Sequence, residues 1–221
     1  MSTIGDDNEN PGEPGSARSV RGAPGAPGER ALEKNLDGTT TEYFDLEATE
    51  EALSALLRTL FDEHWDRIDF GPCMQGAVFE LRFATKPRIS YLDGYLTIGE
   101  EPDPGQSRWH FHLCVGPHRG TKNRPTPPEL AAWRRCSRAA FYRDTDPSGR
   151  PSSWGLRFWN GRGEQMMTVF FPNPWLNERR TKFVKTPDWS KLELWMTLRE
   201  RFAGVPADER PDPEAMRPVI H

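Results

Sequence analysis

The densest group of chemically reactive side chains in this sequence lies between residues 109 and 120, which read WHFHLCVGPHRG. Three of the five histidines and one of the three cysteines fall within nine residues of that segment. Apolar and polar residues alternate through residue 115, a period of two that is typical of a β-strand. Such a strand packs one face on the core and presents His110, His112 and Cys114 on the other. Because imidazoles and thiolates bind transition metals and activate nucleophiles, we expect the functional site here.

Two histidines separated by one strand residue can bind the same metal ion. Their Cα atoms lie about 6.6–6.8 Å apart, because a strand rises roughly 3.3–3.4 Å per residue. Cys114 would stand about 13 Å from His110 on a straight strand, so it becomes a ligand only if the strand bends or bulges. A Gly-Pro turn signal after the strand can instead fold His118 back toward it. We predict His110 and His112 as metal ligands, with His118 as a further ligand.

A carboxylate is the usual completion of such a ligand set, and two glutamates are candidates. Glu80 lies on the polar face of a predicted strand, and Glu164 lies at a predicted hairpin turn. Two histidines with one carboxylate suit iron, whereas three nitrogen ligands suit zinc or copper. We therefore expect a divalent transition metal (Fe, Zn or Cu), held by the histidines and Glu80. Cys114 and Arg157 are the predicted catalytic residues of the surrounding pocket.

The composition narrows the class of protein. With 29 Lys and Arg against 33 Asp and Glu, the chain has a net charge of -4 and lacks the basic excess of a nucleic-acid-binding protein. No apolar run approaches the roughly 20 residues of a membrane span, and the acidic start does not match a secretory signal. Three widely spaced cysteines do not indicate a disulfide framework. We expect a cytoplasmic protein with a small-molecule substrate or cofactor and no nucleic-acid or membrane partner.

The chain divides into a folded region between two tails. Residues 1–40 are rich in Gly, Pro and acidic residues and carry too few large apolar side chains to offset the entropy of ordering. We predict a disordered tail over residues 1–40, a single α+β domain over residues 41–204 and a loose tail over residues 205–221.

Periodicity within the domain predicts its elements. Apolar residues at helical spacing predict helices ending near residue 66, near residue 143 and at Gly204. The second of these helices begins at a capping box over residues 126–129. Alternation predicts strands over residues 75–83 and 108–115 and a hairpin over residues 154–171. Residues 89–98, with Asp93-Gly94 in their middle, are predicted to form either two short strands joined by a hairpin turn or one strand bent at that turn. We expect a largely antiparallel sheet of about five to six strands with about three helices packed on one face.

Two hypotheses from different classes follow for the function. The first is a small-molecule metalloenzyme in which His110 and His112 anchor the metal ion. The second is a non-catalytic binding or cofactor-assembly module without bound metal, whose sheet and aromatic side chains contact a partner, a haem or another cofactor. A polar histidine pair and an inert, half-buried Cys114 thiol fit the second hypothesis. The basic run over residues 179–185 indicates either a solvated surface or a contact with an anion.

Overall fold

The computed structural model describes residues 25–74, 76–100 and 109–206. A π-helical turn, Thr59–Glu63, continues the first helix, and a 3₁₀ turn, Trp189–Leu192, precedes the last. The elements in chain order are β1 (Arg30–Lys34), β2 (Thr40–Leu46), α1 (Glu50–Arg58), β3 (Asp69–Gly71), β4 (Cys73–Met74), β5 (Ala77–Val78), β6 (Arg88–Leu92), β7 (Tyr95–Glu100), β8 (Trp109–Cys114), β9 (Gly120–Thr121), β10 (Arg124–Pro125), α2 (Pro128–Arg134), β11 (Cys136–Thr145), β12 (Pro151–Asn160), β13 (Gln165–Phe170) and α3 (Glu193–Ala203).

The largest sheet has six strands in the order β1-β2-β11-β12-β13-β3, and every neighbouring pair is antiparallel. A separate antiparallel sheet has the order β6-β7-β8, and two short ribbons pair β4 with β5 and β9 with β10. With three α-helices in the described residues, the predicted α+β fold with a largely antiparallel sheet is confirmed.

The main hydrophobic core contains buried side chains of α1, α3, the six-stranded sheet and the three-stranded sheet. The Trp195 ring of α3 meets Phe44 and Phe141 edge-on, with ring centroids 5.8 and 6.4 Å away. The Trp195 indole also donates a hydrogen bond of 3.1 Å to the Gly155 carbonyl of β12, which fixes α3 on the sheet. The packing of all three helices on one face of the sheet stays a prediction.

The predicted disordered tail over residues 1–40 is wrong for its last part. Residues 30–34 form β1, which pairs with β2 along its whole length and becomes an edge of the large sheet. Although the segment carries few apolar side chains, its backbone hydrogen bonds to β2 order it. The folded region therefore begins before residue 41. Residues 1–24 and 207–221 of the two predicted tails lie outside the described residues.

The second predicted helix is wrong beyond its first two turns. Helix α2 ends at Arg134, and the residues predicted to continue it form β11 in the middle of the large sheet. Phe141 points into the main core, whereas Ala140 and Tyr142 lie in a second cluster of buried residues. Because β11 is buried on both faces, its sequence lacks the alternation of polar and apolar residues that would have identified a strand. Its pairing with β2 and β12 makes it a strand despite the helical spacing of its apolar residues.

Three other local predictions are confirmed. Helix α3 ends at Gly204, which adopts the left-handed conformation with φ of 68°. The β12–β13 hairpin forms as predicted, and Asp93 and Gly94 turn the chain between β6 and β7 with φ of 46° and 82°. Among the described residues, no helix has the length and apolar character needed to cross a membrane.

Candidate functional site

The predicted histidine strand is β8, at one edge of the three-stranded sheet. Its alternation places Leu113 in the core and Phe111 against the Phe70 ring at 5.6 Å between centroids. His110 and His112 are exposed on the opposite face. The strand thus presents both imidazoles to solvent on a support of buried apolar side chains.

The two imidazoles are neighbours, and each is positioned by a residue of β7. Their ring centroids lie 5.9 Å apart with 59° between the ring planes. Thr97, which pairs with His112 across the sheet, places its hydroxyl oxygen 2.7 Å from His112 Nδ1. His110 covers Gly99, where an added Cβ would meet the His110 ring at 2.5 Å. The bond to Nδ1 orients the His112 ring and leaves Nε2 to a ligand.

His112 also borders a cavity of about 430 Å³ where three parts of the fold meet. Strands β7 and β8 form one wall, α2 forms a second, and the β12–β13 hairpin forms the third. We call this cavity the α2 cleft. Its lining residues are Tyr95, His112, Cys114, Leu130, Trp133, Arg134, Asn160, Glu164 and Met166.

Helix α2 is attached to the hairpin through Trp133. The Trp133 indole donates a hydrogen bond of 2.8 Å to Glu164 Oε2, and the side chain of Asn160 donates another of 2.7 Å to the same oxygen. These two bonds, first that from Asn160, lower the pKa of the Glu164 carboxyl. The Arg162 guanidinium lies over the Trp133 ring at 3.5 Å, and Gly161 N donates to the Trp133 carbonyl at 2.9 Å. Together these contacts fix one wall of the α2 cleft.

Two polar groups of the α2 cleft, the Cys114 thiol and the Tyr95 hydroxyl, are uncharged at neutral pH. Burial raises the pKa of the Cys114 thiol above its ordinary value, and it does the same for the Tyr95 hydroxyl. The positive charge of Arg134, which lines the same cleft, opposes both shifts. Cys114 therefore stays a protonated thiol that donates weakly to the Gly116 carbonyl at 3.5 Å. The catalytic role of Cys114 stays a prediction.

His118 lies at the end of the β6–β7 hairpin. Its Nδ1 is 3.0 Å from Asp93 Oδ2 and 3.2 Å from the Asp93 carbonyl oxygen. Its ring meets the Tyr95 ring edge-on at 5.1 Å. Asp93 also accepts hydrogen bonds of 2.8 Å from the backbone of Arg119 and Gly120. The Gly-Pro turn therefore ties His118 to the hairpin turn.

Glu80 lies in a different region from the histidines. The predicted strand over residues 75–83 is wrong for the described residues, because only Ala77–Val78 and an isolated bridge at Leu81 are extended pairs there. Glu80 instead borders a separate cavity that also contains Asp69 and Arg82. The prediction that Glu80 shares a face with the other ligands required a continuous strand over residues 75–83, in which alternate side chains share a face. The strand is interrupted after Val78, so this alternation does not hold at Glu80.

Arg157 is not among the residues that line the α2 cleft. It projects from β12 and donates a hydrogen bond of 2.7 Å to the Tyr43 hydroxyl, with Asp144 at 3.5 Å. Its guanidinium lies 3.9 Å from the Tyr142 ring centroid, and burial raises the pKa of Tyr142 to about 12. These contacts give Arg157 a place in a buried polar cluster of the large sheet.

The predicted ligands do not form one group. Among residues 25–74, 76–100 and 109–206, no three side chains of the types His, Cys, Asp and Glu are placed to hold a single metal ion. Of the candidates from the sequence, His112, Cys114 and Glu164 do line the same cavity, whereas Glu80 and Arg157 do not. Metal binding itself stays a prediction.

Six lining residues of the α2 cleft were not predicted as site residues: Tyr95, Leu130, Trp133, Arg134, Asn160 and Met166. Tyr95 directly follows the Asp93-Gly94 turn, and its partner across the sheet is Cys114. That pairing could have been inferred by extending the predicted hairpin to the histidine strand. Trp133 and Arg134 could not have been placed, because their position depends on where α2 ends.

The chain belongs to a family of unknown function, DUF7676, whose model matches residues 30–204. The match includes β1 and ends at Gly204, so it covers the large sheet, the histidine strand and the α2 cleft. A solved structure described as "Crystal structure of ChuX" is similar at a TM-score of 0.43 and 13% identity, covering 74% of this chain and 76% of that chain. Comparison with curated proteins finds no match.

Proposed function

We propose that this protein binds a small organic molecule in the α2 cleft and that the ligand combines an apolar, planar body with a negatively charged group. The observation that carries the proposal is the meeting of Tyr95, His112 and Cys114 with Trp133 and Arg134 around one cavity of about 430 Å³. That volume falls within the range of roughly 300–1,000 Å³ for small-molecule sites in proteins. Of the two functions expected from the sequence, a metalloenzyme and a non-catalytic binding module, this proposal corresponds to the binding module.

The chemistry of the walls sets the class of ligand. Leu130, Trp133 and Met166 are half-buried, so each has an apolar surface that a planar molecule could cover. Arg134 is exposed at the rim and supplies a fixed positive charge, and His112 supplies a ring nitrogen oriented by Thr97. The lining combines an apolar patch with polar groups that can orient a ligand, and the Glu164 carboxylate stands among them. The proposal includes a cytoplasmic location, which the three free cysteines support.

Titration with anilinonaphthalene sulfonate tests this proposal, because the dye is planar, apolar and anionic and fluoresces when it leaves water. We expect Arg134→Met to weaken dye binding about fivefold, since an exposed charge contact is worth about 1 kcal/mol. Arg135→Met is the matched control, because Arg135 is also exposed but does not line the cavity. Equal effects of the two substitutions would contradict the proposal.

A transition metal held by His110 and His112 is the second candidate. The 5.9 Å between their ring centroids supports it, because one ion can bridge rings whose centroids are each about 3.2 Å away, given Zn–N bonds of about 2.0–2.1 Å. With only two protein ligands, the remaining coordination positions would be filled by water or a bound molecule, whereas catalytic zinc sites have three protein ligands. His112 Nδ1 already contacts Thr97, the kind of outer contact that orients a metal-binding imidazole.

The two candidates differ in what they require of His110. A metal site needs both histidines, so His110→Asn and His112→Asn should each abolish Zn(II), Cu(II) or Fe(II) binding in calorimetric titrations of the untagged protein. The α2 cleft needs only His112, so His110→Asn should leave dye binding unchanged. Stoichiometric metal binding lost equally in both variants, with dye binding intact, would replace the first candidate with the second.

A further inference from the structure

A second cavity, of about 510 Å³, lies beside the basic run of residues 179–185. Three arginines line it: Arg82, Arg179 and Arg180. Two carboxylates, Asp69 and Glu80, lie among them. We call this cavity the arginine pocket. It shares no lining residue with the α2 cleft, so what it binds is independent of the function proposed above.

Two guanidinium groups share one carboxylate in the arginine pocket. Arg82 forms a bidentate salt bridge with Asp69, in which Nε lies 2.8 Å from Oδ1 and Nη2 lies 3.3 Å from Oδ2. Arg180 Nη1 binds the same Oδ2, and Arg180 Nη2 donates to the Arg67 carbonyl at 2.7 Å. Since one carboxylate neutralises one guanidinium, this group keeps a positive charge, which suits an anion.

The backbone at Arg180 holds its side chain in this arrangement. Arg180 has a φ of 54°, in the left-handed region that costs a non-glycine residue about 1 kcal/mol or more. Asn177 stabilises the turn, because its carbonyl accepts from Arg180 N at 2.8 Å and its side chain accepts from Thr181 N at 2.9 Å. The Arg180 side chain is only 19% exposed, and burial lowers the pKa of the guanidinium. An ordered, partly desolvated cation is thus directed into the pocket.

Apolar and polar surfaces flank the charged groups. Phe170 and Leu176 are half-buried on the pocket wall, so part of each apolar side chain remains accessible. Asn173 adds a polar side chain, although its Nδ2 already donates to the Ser152 carbonyl at 2.8 Å. Arg179 is exposed at the edge, where it can approach an incoming ligand. The pocket therefore offers contacts for both a charged group and an apolar body.

We infer that the arginine pocket binds the oxyanion group, a carboxylate or a phosphate, of a small molecule whose apolar part contacts Phe170 and Leu176. Arg82 and Arg180 contribute charge-assisted hydrogen bonds from groups already fixed by Asp69, and Arg179 completes the contact. Glu80 opposes binding by like-charge repulsion and limits the affinity.

Phenyl phosphate and benzoate are suitable probes, with phenol as the uncharged comparison, in titrations followed by protein NMR. We expect one or both anions to bind at least tenfold more tightly than phenol. Arg179→Gln should weaken anion binding about fivefold, as expected for an exposed charge contact. Lys185→Gln is the matched control, because it removes the same charge from an exposed residue outside the pocket lining. The tighter of the two anions identifies the carboxylate or the phosphate as the preferred group.

Glu80→Gln provides a test in the opposite direction. Removing the carboxylate should strengthen anion binding about two- to fivefold, a gain that loss of folding cannot imitate. Anions that bind no better than phenol, or equal effects of Arg179→Gln and Lys185→Gln, would overturn the inference. An unchanged affinity in Glu80→Gln would also count against it, because the repulsion would then be absent.

Discussion

Replacing Gly161 with alanine should move α2 away from the β12–β13 hairpin. An added Cβ would overlap the Ala132 carbonyl oxygen and stand 3.3 Å from the Trp133 Cα. Both atoms belong to the backbone of α2, so no side-chain rotation relieves the contact. The helix must shift, and the 2.9 Å hydrogen bond from Gly161 N to the Trp133 carbonyl lengthens with it.

The expected loss of stability is about 2 kcal/mol. Overpacking destabilises the protein by roughly 1–3 kcal/mol, and the weakened hydrogen bond adds about 1 kcal/mol. Alanine also lowers the conformational entropy of the unfolded chain, which stabilises the folded state by roughly 0.4–1 kcal/mol and offsets part of this loss. Urea unfolding measures the difference, and the midpoint should fall by roughly 1 M if the slope is about 2 kcal/mol/M. Because Trp133 and Leu130 move with α2, dye binding in the α2 cleft should weaken as well.

Gly149→Ala is the control for this prediction. Gly149 has a φ of 84°, so alanine is strained there, but an added Cβ would meet no atom within 4 Å. This variant should lose stability without losing dye affinity. If Gly161→Ala retained both its urea midpoint and its dye affinity, close packing of α2 on the hairpin would not define the cleft.

Three further outcomes are expected. Asp45→Asn should cost about 3–5 kcal/mol in urea unfolding, because it leaves Arg138 charged and buried, and the double replacement with Arg138→Met should cost less than the sum of the single changes. Gly94→Ala should destabilise the protein by about 2 kcal/mol, since φ is 82° and an added Cβ would meet a loop carbonyl oxygen at 2.6 Å; a loss below about 0.5 kcal/mol would argue against this turn. In native alkylation followed by mass spectrometry, half-buried Cys73 should react before buried Cys114, and the reverse order would contradict the burial described above.

The histidine strand shows what short-range pattern could predict. Alternation around His110 and His112 identified β8 and its two faces, because the side-chain period of a strand is a local property of the backbone. Asp93-Gly94 identified a hairpin turn for the same reason, since few residue pairs tolerate two positive φ values. Gly204 likewise marked the end of α3.

The pairing partners of a segment are not a local property. Residues 136–143 were predicted to be helical from their spacing, yet they lie in β11, because β2 and β12 supply backbone hydrogen bonds on both sides. The 1–40 segment likewise lacks the apolar side chains of a strand, and only its pairing with β2 orders β1. In both cases long-range hydrogen bonding overrode local composition.

The sequence by itself determined which side chains stand next to each other on β8 and which face they share. The tertiary structure alone decided that His112 and Cys114 meet Trp133 and Arg134, residues that lie beyond the next turn of the chain, while Glu80 stays apart. The physical reason is that a cavity forms where separate elements fail to fill the space between them. Its lining therefore depends on how α2, the small sheet and the β12–β13 hairpin pack, which no single segment encodes.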